Sequence, residues 1–297
     1  MNKKLTNYFI KIDNKKVYAI ITIYKPNYLK LENTLLKTSK VFSKVIAVCN
    51  SQLQFKFIKK FKNTKFIQNK KNVGLAKAMN KGIKYAIKNK ATHVVLFDQD
   101  TKIKPNFLKK IKSFFQKHNL DNVAAISPLF FNKLTNQYGY NWNSLKKSRP
   151  DYFHPEYLIT SGTLIPTKIF EKVGFMREKM NIDLLDLDWC KRAKKKNLKY
   201  YCIPSILVEH NIGIRKIEIF NIIYNIHSPL RLYYYFRNSI FVYKQNYSTL
   251  NWIISDIVKN IFRLFFYLFF VQPRKKYIYF IFLGIYHGLK NKMGNLK

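Results

Sequence analysis

Over residues 17–101 short unbroken apolar runs alternate with stretches in which apolar side chains recur at helical spacing. Residues 17–24 (VYAIITIY) form the first run and stop at Lys25-Pro26-Asn27, as a buried strand ending in a turn would. Residues 28–39 place Leu31, Leu35 and Leu36 on one helical face. A second strand is predicted over 41–48, a short helix over 55–61 and a third strand over 64–68. Asn72-Val73-Gly74 then opens a helix whose Leu75, Met79, Ile83 and Ile87 recur every four residues, with Asn72 suited to the N-cap. A strand over 93–97 follows. This alternation predicts βαβ units and a parallel sheet. Further on, the pattern predicts helices at 105–118, 167–173 and 189–196, and strands at 123–131, 157–166 and 200–208. The stretch 132–157 is irregular and has the composition of a loop lining a site.

The chemistry sits where these runs end. Residues 92–101 (THVVLFDQDT) pass from a buried strand straight into Asp98 and Asp100. Unpaired charges are too costly to bury for packing, so the pair belongs at the carboxyl end of the strand, where open α/β sheets bind ligands. Side chains two apart on an extended segment point the same way, so both carboxylates can face one cation. Oxygen ligands of this kind suit Mg²⁺ or Mn²⁺ shared with substrate phosphates. A second acidic island, Asp183, Asp186 and Asp188, precedes the basic helix at 189–196. One helix cap does not need three acids, and a carboxylate there suits a general base acting on an acceptor hydroxyl. His210, after the strand at 200–208, is placed to close a metal shell or touch a diphosphate. The chain has neither GxGxxG nor a Walker-type glycine loop, which argues against a dinucleotide dehydrogenase or a P-loop NTPase.

Composition adds one strong constraint. The formal charge is +40, from 55 basic and 15 acidic residues, a field that favours anionic partners. Only eight of the basic residues are arginine, the residue nucleic-acid readers favour for bidentate contacts. Nucleic acid is therefore not the expected partner. Cys49, Cys190 and Cys202 show no CxxC spacing and suggest neither a disulfide framework nor a zinc site. Residues 1–16 are polar, without the apolar core of a signal peptide, which leads us to expect a cytoplasmic protein.

From about residue 217 the character changes. Residues 229–243 are aromatic and basic, and two apolar stretches follow at 253–271 and 275–289. They are interrupted by Arg263 and by Pro273-Arg274-Lys275-Lys276, whereas a spanning helix needs roughly 20 apolar residues. Helices lying in an anionic membrane interface, or an ordinary packed appendage, fit them better. The expected division is a catalytic domain over 1–216, with a nucleotide-binding half (17–101) and an acceptor half (102–216), and a helical membrane-interface region over 217–297.

Taken in order, several motifs resemble the GT-A-fold inverting glycosyltransferases of family 2, and more narrowly their bacterial rhamnosyltransferase-like branch. They are Tyr24-Lys25-Pro26, NVGLAKAMNKG at 72–82, LFDQDT at 96–101, TSGT at 160–163, DLLDLDWCKR at 183–192, Glu209-His210, PLRLYYYFRN at 229–238 and GIYHGL at 284–289. The resemblance implies a Rossmann-like, mostly parallel sheet flanked by helices, with a C-terminal helical appendage. It implies a divalent metal, Mg²⁺ or Mn²⁺, on Asp100, with His210 beside it, and Asp98 near the nucleotide ribose. Asp186 takes the catalytic-base position with Asp188 adjacent, and Asp183, Trp189 and Arg192 fall on the acceptor or leaving-group side. Tyr24, Pro26, Asn50, Asn72, Gly74, Lys77, Asn80, Gln99, Ser161 and Gly162 are implied contacts of the nucleotide sugar. Cys49 stands where the family usually has Asp, and Lys25 where it has Asn, so a dTDP- or a UDP-linked donor stays open. The implied activity is transfer of a sugar, rhamnose among the options, to a lipid-linked or growing saccharide in O-antigen or capsule synthesis. The implied location is the cytoplasmic face of the inner membrane. The rival readings are a GT-A-fold membrane scaffold that lost activity and, from charge alone, a basic nucleic-acid-binding protein.

Overall fold

The structure is a computed structural model that describes residues 12–140, 142–145, 148, 150–210, 213–219 and 222–296. Most of the polar lead-in and Asn211 therefore lie outside the described residues. In chain order the elements are β1 (Val17–Ile23), α1 (Tyr28–Val41), β2 (Lys44–Cys49), α2 (Phe55–Ile58), β3 (Thr64–Gln68), α3 (Leu75–Lys88) and β4 (His93–Asp98). Then come α4 (Phe107–Lys117), β5 (Val123–Asn132), β6 (Gln137–Tyr138), α5 (Trp142–Leu145), β7 (Thr163–Pro166), α6 (Ile169–Val173), α7 (Leu185–Lys195) and β8 (Lys199–Glu209). The C-terminal part holds β9 (Arg215–Ile219), β10 (Ile222–Ile226), α8 (Pro229–Tyr243), α9 (Leu250–Phe270) and α10 (Arg274–Leu289).

An eight-stranded sheet runs β3-β2-β1-β4-β7-β5-β6, with β8 pairing β5. The β3-β2-β1-β4 half is parallel, as are β5 and β8, while β7 lies antiparallel between β4 and β5. Both faces are covered, which is why the strands read as continuous apolar runs rather than alternating ones. One face packs Ile21, Leu35, Phe97 and Phe107. The other packs Ile20, Met79, Ile83, Ile165 and Trp189, and takes Phe241 and Val242 from α8. The mostly parallel, helix-flanked sheet expected from the motifs is the one observed.

Four local differences from the sequence reading have simple causes. Asn72 does not cap α3: its Oδ1 accepts from Gly74 N at 2.9 Å in a short turn, and Gly74, at φ 86°, is the N-cap. Only Thr163–Pro166 of the apolar run at 157–166 is a strand, because the chain turns at Gly162 (φ 87°), where a Cβ would meet Pro128 Cγ at 2.6 Å. Helix α7 begins at Leu185 rather than Trp189, after two left-handed residues, Asp183 (φ 65°) and Leu184 (φ 59°). The acids Asp186 and Asp188 therefore lie in its first turn, where the helix dipole favours negative charge. The antiparallel hairpin β9–β10 was hidden at the start of the basic, aromatic region.

Helix α8 is bound into the core, and α10 crosses it closely. A Cβ on Gly284 would sit 2.5 Å from Tyr233 O, and one on Gly288 would sit 3.0 Å from Arg237 O. Among the described residues no helix is long and apolar enough to cross a membrane. Yet Leu250, Ile254, Phe262, Phe265 and Phe269 of α9 and Tyr279, Phe282 and Leu289 of α10 are at least half exposed. At helical spacing those of α9 fall on one face of that helix and those of α10 on one face of theirs.

Candidate active site

Parallel strands β1 and β4 bring Thr22 opposite Asp98, so the carboxyl ends of both strands lie side by side at one edge of the sheet. A short antiparallel bridge between Lys102 and Glu209 ties the segment after β4 to the end of β8 and carries His210 to the acidic pair. His210 Nε2 lies 3.5 Å from Asp98 Oδ2, and its Nδ1 lies 3.9 Å from Asp100 Oδ1. That Nδ1 is buried and has no hydrogen-bond partner. Burial pushes the Asp100 carboxyl above the usual range, opposed by His210 and reinforced by the Asp98 charge. Glu209 is not part of this group. It pairs with Lys133 at 2.9 Å and Lys102 at 3.6 Å, and the Lys133 contact holds its carboxyl below the usual range.

The second acidic island divides sharply. Asp186 is half-buried and borders a small apolar void lined by Leu96, Leu158, Met176 and Trp189. Burial pushes its carboxyl up from 3.8 to about 6, with smaller upward pushes from Asp183 and Asp98 and a downward one from the Leu187 N–H, which donates to Oδ1 at 3.0 Å. It is thus a carboxylate whose proton affinity lies near neutral pH, in electrical contact with Asp98. Asp183 accepts from Arg231 through both oxygens, Nε at 3.2 Å and Nη2 closer still. Asp188, by contrast, is fully buried between Arg177 Nε and Arg192 Nε, both at 2.8 Å, and accepts from Tyr247 OH.

The segment 180–184 that delivers Asp186 is irregular, with Asn181, Asp183 and Leu184 all at positive φ. Such conformations persist only when the surroundings over-determine them. Here α8 supplies the constraint. Asn238 Nδ2 donates to the carbonyls of Met180 (3.0 Å), Ile182 (2.8 Å) and Asp183 (2.9 Å), and Arg237 Nη2 donates to Met180 O at 2.8 Å. From the other side Gly74 lets Asn181 close in, since a Cβ there would lie 1.9 Å from Asn181 Oδ1.

Residues 51–181 match the profile described as Glycosyl transferase family 2. The chain is 30% identical over 257 residues to the dTDP-rhamnosyl transferase RfbF of Shigella flexneri, covering 82% of this chain and 86% of that one. The chain belongs to glycosyltransferase family 2. Among solved structures it resembles S. aureus TarS 1-349 in complex with UDP-GlcNAc, with a TM-score of 0.52, 15% identity, and coverage of 89% of this chain and 79% of that one. It also resembles GalNAc-T7 with UDP, GalNAc and Mn²⁺, with a TM-score of 0.51, 11% identity and 69% coverage of this chain. The chain spans 44% of the GalNAc-T7 chain, and at these identities both likenesses concern the fold.

As a family 2 glycosyltransferase the protein carries its motif residues in two kinds of place. Tyr24 is 45% exposed just beyond β1, and Gln99 holds its backbone, accepting from Tyr24 N at 2.8 Å and donating to Tyr24 O at 3.2 Å. Pro26 follows in the same turn, and Lys77 is exposed on α3. Ser161 is buried against the Thr101 hydroxyl, and Gly162 donates to Leu96 O at 2.7 Å, so the TSGT motif braces the end of β4. Other residues expected to touch substrate instead tie elements together. Asn50 donates to Gly74 O and accepts from Asn69, Asn80 links Met176 and Glu178 to α3, and Asn72 serves its local turn. Trp189 is 2% exposed and donates to Gly174 O, and Arg192 binds Asp188 and the Val173 and Phe175 carbonyls. Both therefore face the interior rather than the acceptor, as does Asp188. Cys49 is buried in the core, its thiol pushed up to about 12 by burial.

Sequence reasoning assigned no role to Arg231, Arg237, Asn238 or His227. The first three stand in the PLRLYYYFRN motif, so the signal was present without a partner to interpret it. His227 is half-buried near Arg231, with its proton affinity lowered to about 4 by burial and by that guanidinium, and its buried Nδ1 has no hydrogen-bond partner.

Proposed function

We propose that the protein is an inverting glycosyltransferase that moves rhamnose from a dTDP-linked donor to a lipid-linked or growing saccharide acceptor in cell-surface polysaccharide synthesis. The observation that carries the reading is the division of labour among the cleft carboxylates: Asp98 and Asp100 gathered with His210, and Asp186 nearby with a proton affinity near neutrality. The donor assignment rests on the similarity to RfbF.

Asp186 is the base. A carboxylate held near 6 is ionised at neutral pH yet basic enough to accept a hydroxyl proton as the acceptor oxygen attacks. The backbone N–H of Leu187 fixes its orientation, and the apolar void beside it keeps water from solvating it. Arg231, fixed on Asp183 and within electrical reach of Asp98 and Asp186, adds positive charge on the side where the diphosphate departs. The turn holding Tyr24 and Pro26 flanks the nucleotide, braced by Gln99. Asp188, Trp189 and Arg192 position the helix that carries Asp186.

A divalent ion, Mg²⁺ or Mn²⁺, fits the group formed by Asp100, Asp98 and His210. His210 Nδ1 has no hydrogen-bond partner and lies 3.9 Å from Asp100 Oδ1, so an imidazole nitrogen and two carboxylates form a donor set suited to such an ion. Among the described residues no three potential ligand side chains are gathered tightly enough to hold an ion alone, as expected where substrate phosphates and water complete the shell. When bound, such an ion supplies charge neutralisation for the nucleoside diphosphate.

The exposed apolar surface of α9 and α10, bordered by Arg274, Lys275 and Lys276, supports peripheral attachment to the cytoplasmic face of the plasma membrane. A panel of dTDP- and UDP-sugars, assayed for hydrolysis and transfer, tests the catalytic reading. Consumption of dTDP-rhamnose that disappears in Asp186→Asn is expected. Turnover of UDP-sugars alone would overturn the donor, and no turnover with any of them would overturn the enzyme.

A further inference from the structure

Away from the catalytic carboxylates, α7, the start of β8 and the segment 246–252 enclose a cleft of about 810 Å³. Lys191, Lys194, Lys195 and Lys199 line it, with Trp252 and Tyr200 as aromatic walls. The one acid in the lining, Glu156, accepts a hydrogen bond from Trp252 Nε1. Lys191 Nζ stands 3.6 Å above the Trp252 ring, a cation–π contact that presents the ammonium to the cleft. The first turn of α9 opens there too: Thr249 lines the cleft but makes no side-chain cap, so the positive end of a 21-residue helix faces the same space. Four lysines and an uncapped helix end around one space favour a negatively charged ligand.

The same helix end starts the apolar surface. Leu250, at the mouth, is 69% exposed, and Ile254, Val258, Phe262, Phe265 and Phe269 continue along one face of α9. The cleft and the stripe adjoin at the first turn of α9, where Thr249 lines the one and Leu250 begins the other, so the complementary ligand is an amphiphile with an anionic phosphate head and an apolar tail. We propose that this cleft binds the headgroup phosphate of an anionic phospholipid whose acyl chains lie along α9. The proposal rests on the membrane-peripheral reading above and deepens it: the apolar face supplies attachment to any bilayer, and the lysine cleft supplies the preference for negative lipid. None of the residues lining the cleft belongs to the catalytic group.

The test uses the full chain and co-flotation with vesicles of phosphatidylcholine alone or mixed with phosphatidylglycerol. Lys191→Gln/Lys195→Gln is compared with Lys109→Gln/Lys117→Gln, which removes equal charge from α4, and thermal melting checks that each is folded. The cleft variant is expected to lose the phosphatidylglycerol-dependent gain in partitioning by about tenfold or more, with neutral-vesicle binding unchanged. The α4 variant should lose less than about threefold. Equal losses in the two variants would mean diffuse charge and would overturn the cleft. Absent binding of the wild type to neutral vesicles would overturn the apolar face alone, since the lipid-selective gain is scored separately. As a second readout, Trp252 emission, corrected with Trp252→Phe, should respond to monomeric short-chain phosphatidylglycerol. A response to inorganic diphosphate but not to that lipid would assign the cleft to a soluble phosphate compound and overturn the headgroup.

Discussion

Replacing Asp186 by Asn should make the protein more stable and nearly inactive. Burial lifts this carboxyl from 3.8 to about 6, so ionising it costs more in the folded chain than in the unfolded one. At 1.36 kcal/mol per decade of proton affinity the difference is about 3 kcal/mol, an upper bound because the residue is only half-buried. The sign follows from linkage. Below 3.8 the acid is protonated in both states and the penalty vanishes; it grows as pH rises and is complete above about 6. Asparagine keeps the oxygen that accepts from Leu187 N and removes the charge. At pH 7 the variant should therefore melt about 5–10 °C higher than the wild type, with roughly half that stabilising free energy at pH 5. Turnover should fall by a factor of about 10²–10⁴, the usual contribution of a positioned base, which corresponds to about 3–5 kcal/mol in the barrier. Calorimetry at the two pH values, together with sugar transfer at pH 7, decides it. A variant that melts lower than wild type at pH 7, or that transfers within threefold of it, would refute the reasoning.

The neighbouring acid should behave in the opposite way. Asp188→Ala strands Arg177 and Arg192 without their buried partner and should destabilise by about 3–5 kcal/mol in chemical unfolding; a loss under about 1 kcal/mol would contradict its role as an anchor. Asp100→Ala should abolish the EDTA-sensitive part of nucleotide binding in titration calorimetry, and unchanged binding with and without EDTA would remove the metal from the scheme. Wild-type transfer, with donor saturating, should rise with pH through about 6 and then level off, because Asp186 must be ionised; a rate that falls across that window would rule it out as the base. Asn238→Ala, leaving the Met180, Ile182 and Asp183 carbonyls without their shared donor, should cost about 2–3 kcal/mol and lower kcat more than it raises KM.

The sheet was legible because strands buried on both faces are written as unbroken apolar runs, and strand 64–68 was placed to the residue. The acidic pair was legible because such a run cannot end in two carboxylates without a purpose. What stayed hidden depends on partners distant in the chain. Nothing local to Asp186 and Asp188 tells which faces the cleft; the difference is that Arg177 and Tyr247 meet Asp188 and an apolar void meets Asp186. Trp189, Arg192, Asn50 and Asn80 carried family motifs that suggested substrate contacts, yet their hydrogen bonds are with the backbone and side chains of neighbouring elements. The start of α7 was misplaced by four residues because a left-handed Asp183-Leu184 pair has no compositional signature.

The Asn238 amide joins two parts of the molecule that meet very different surroundings. On one side it grips the loop bearing Asp186; on the other, its helix is pressed against α10 with glycines at the contact, leaving no soft layer between them. Pressure on the outer helices thus reaches the reacting atoms through a few rigid contacts. On the peripheral-membrane reading proposed above, a load on the outer helices has a short, stiff route to the loop that bears Asp186, so attachment and turnover would be coupled through α8 and not only through local concentration.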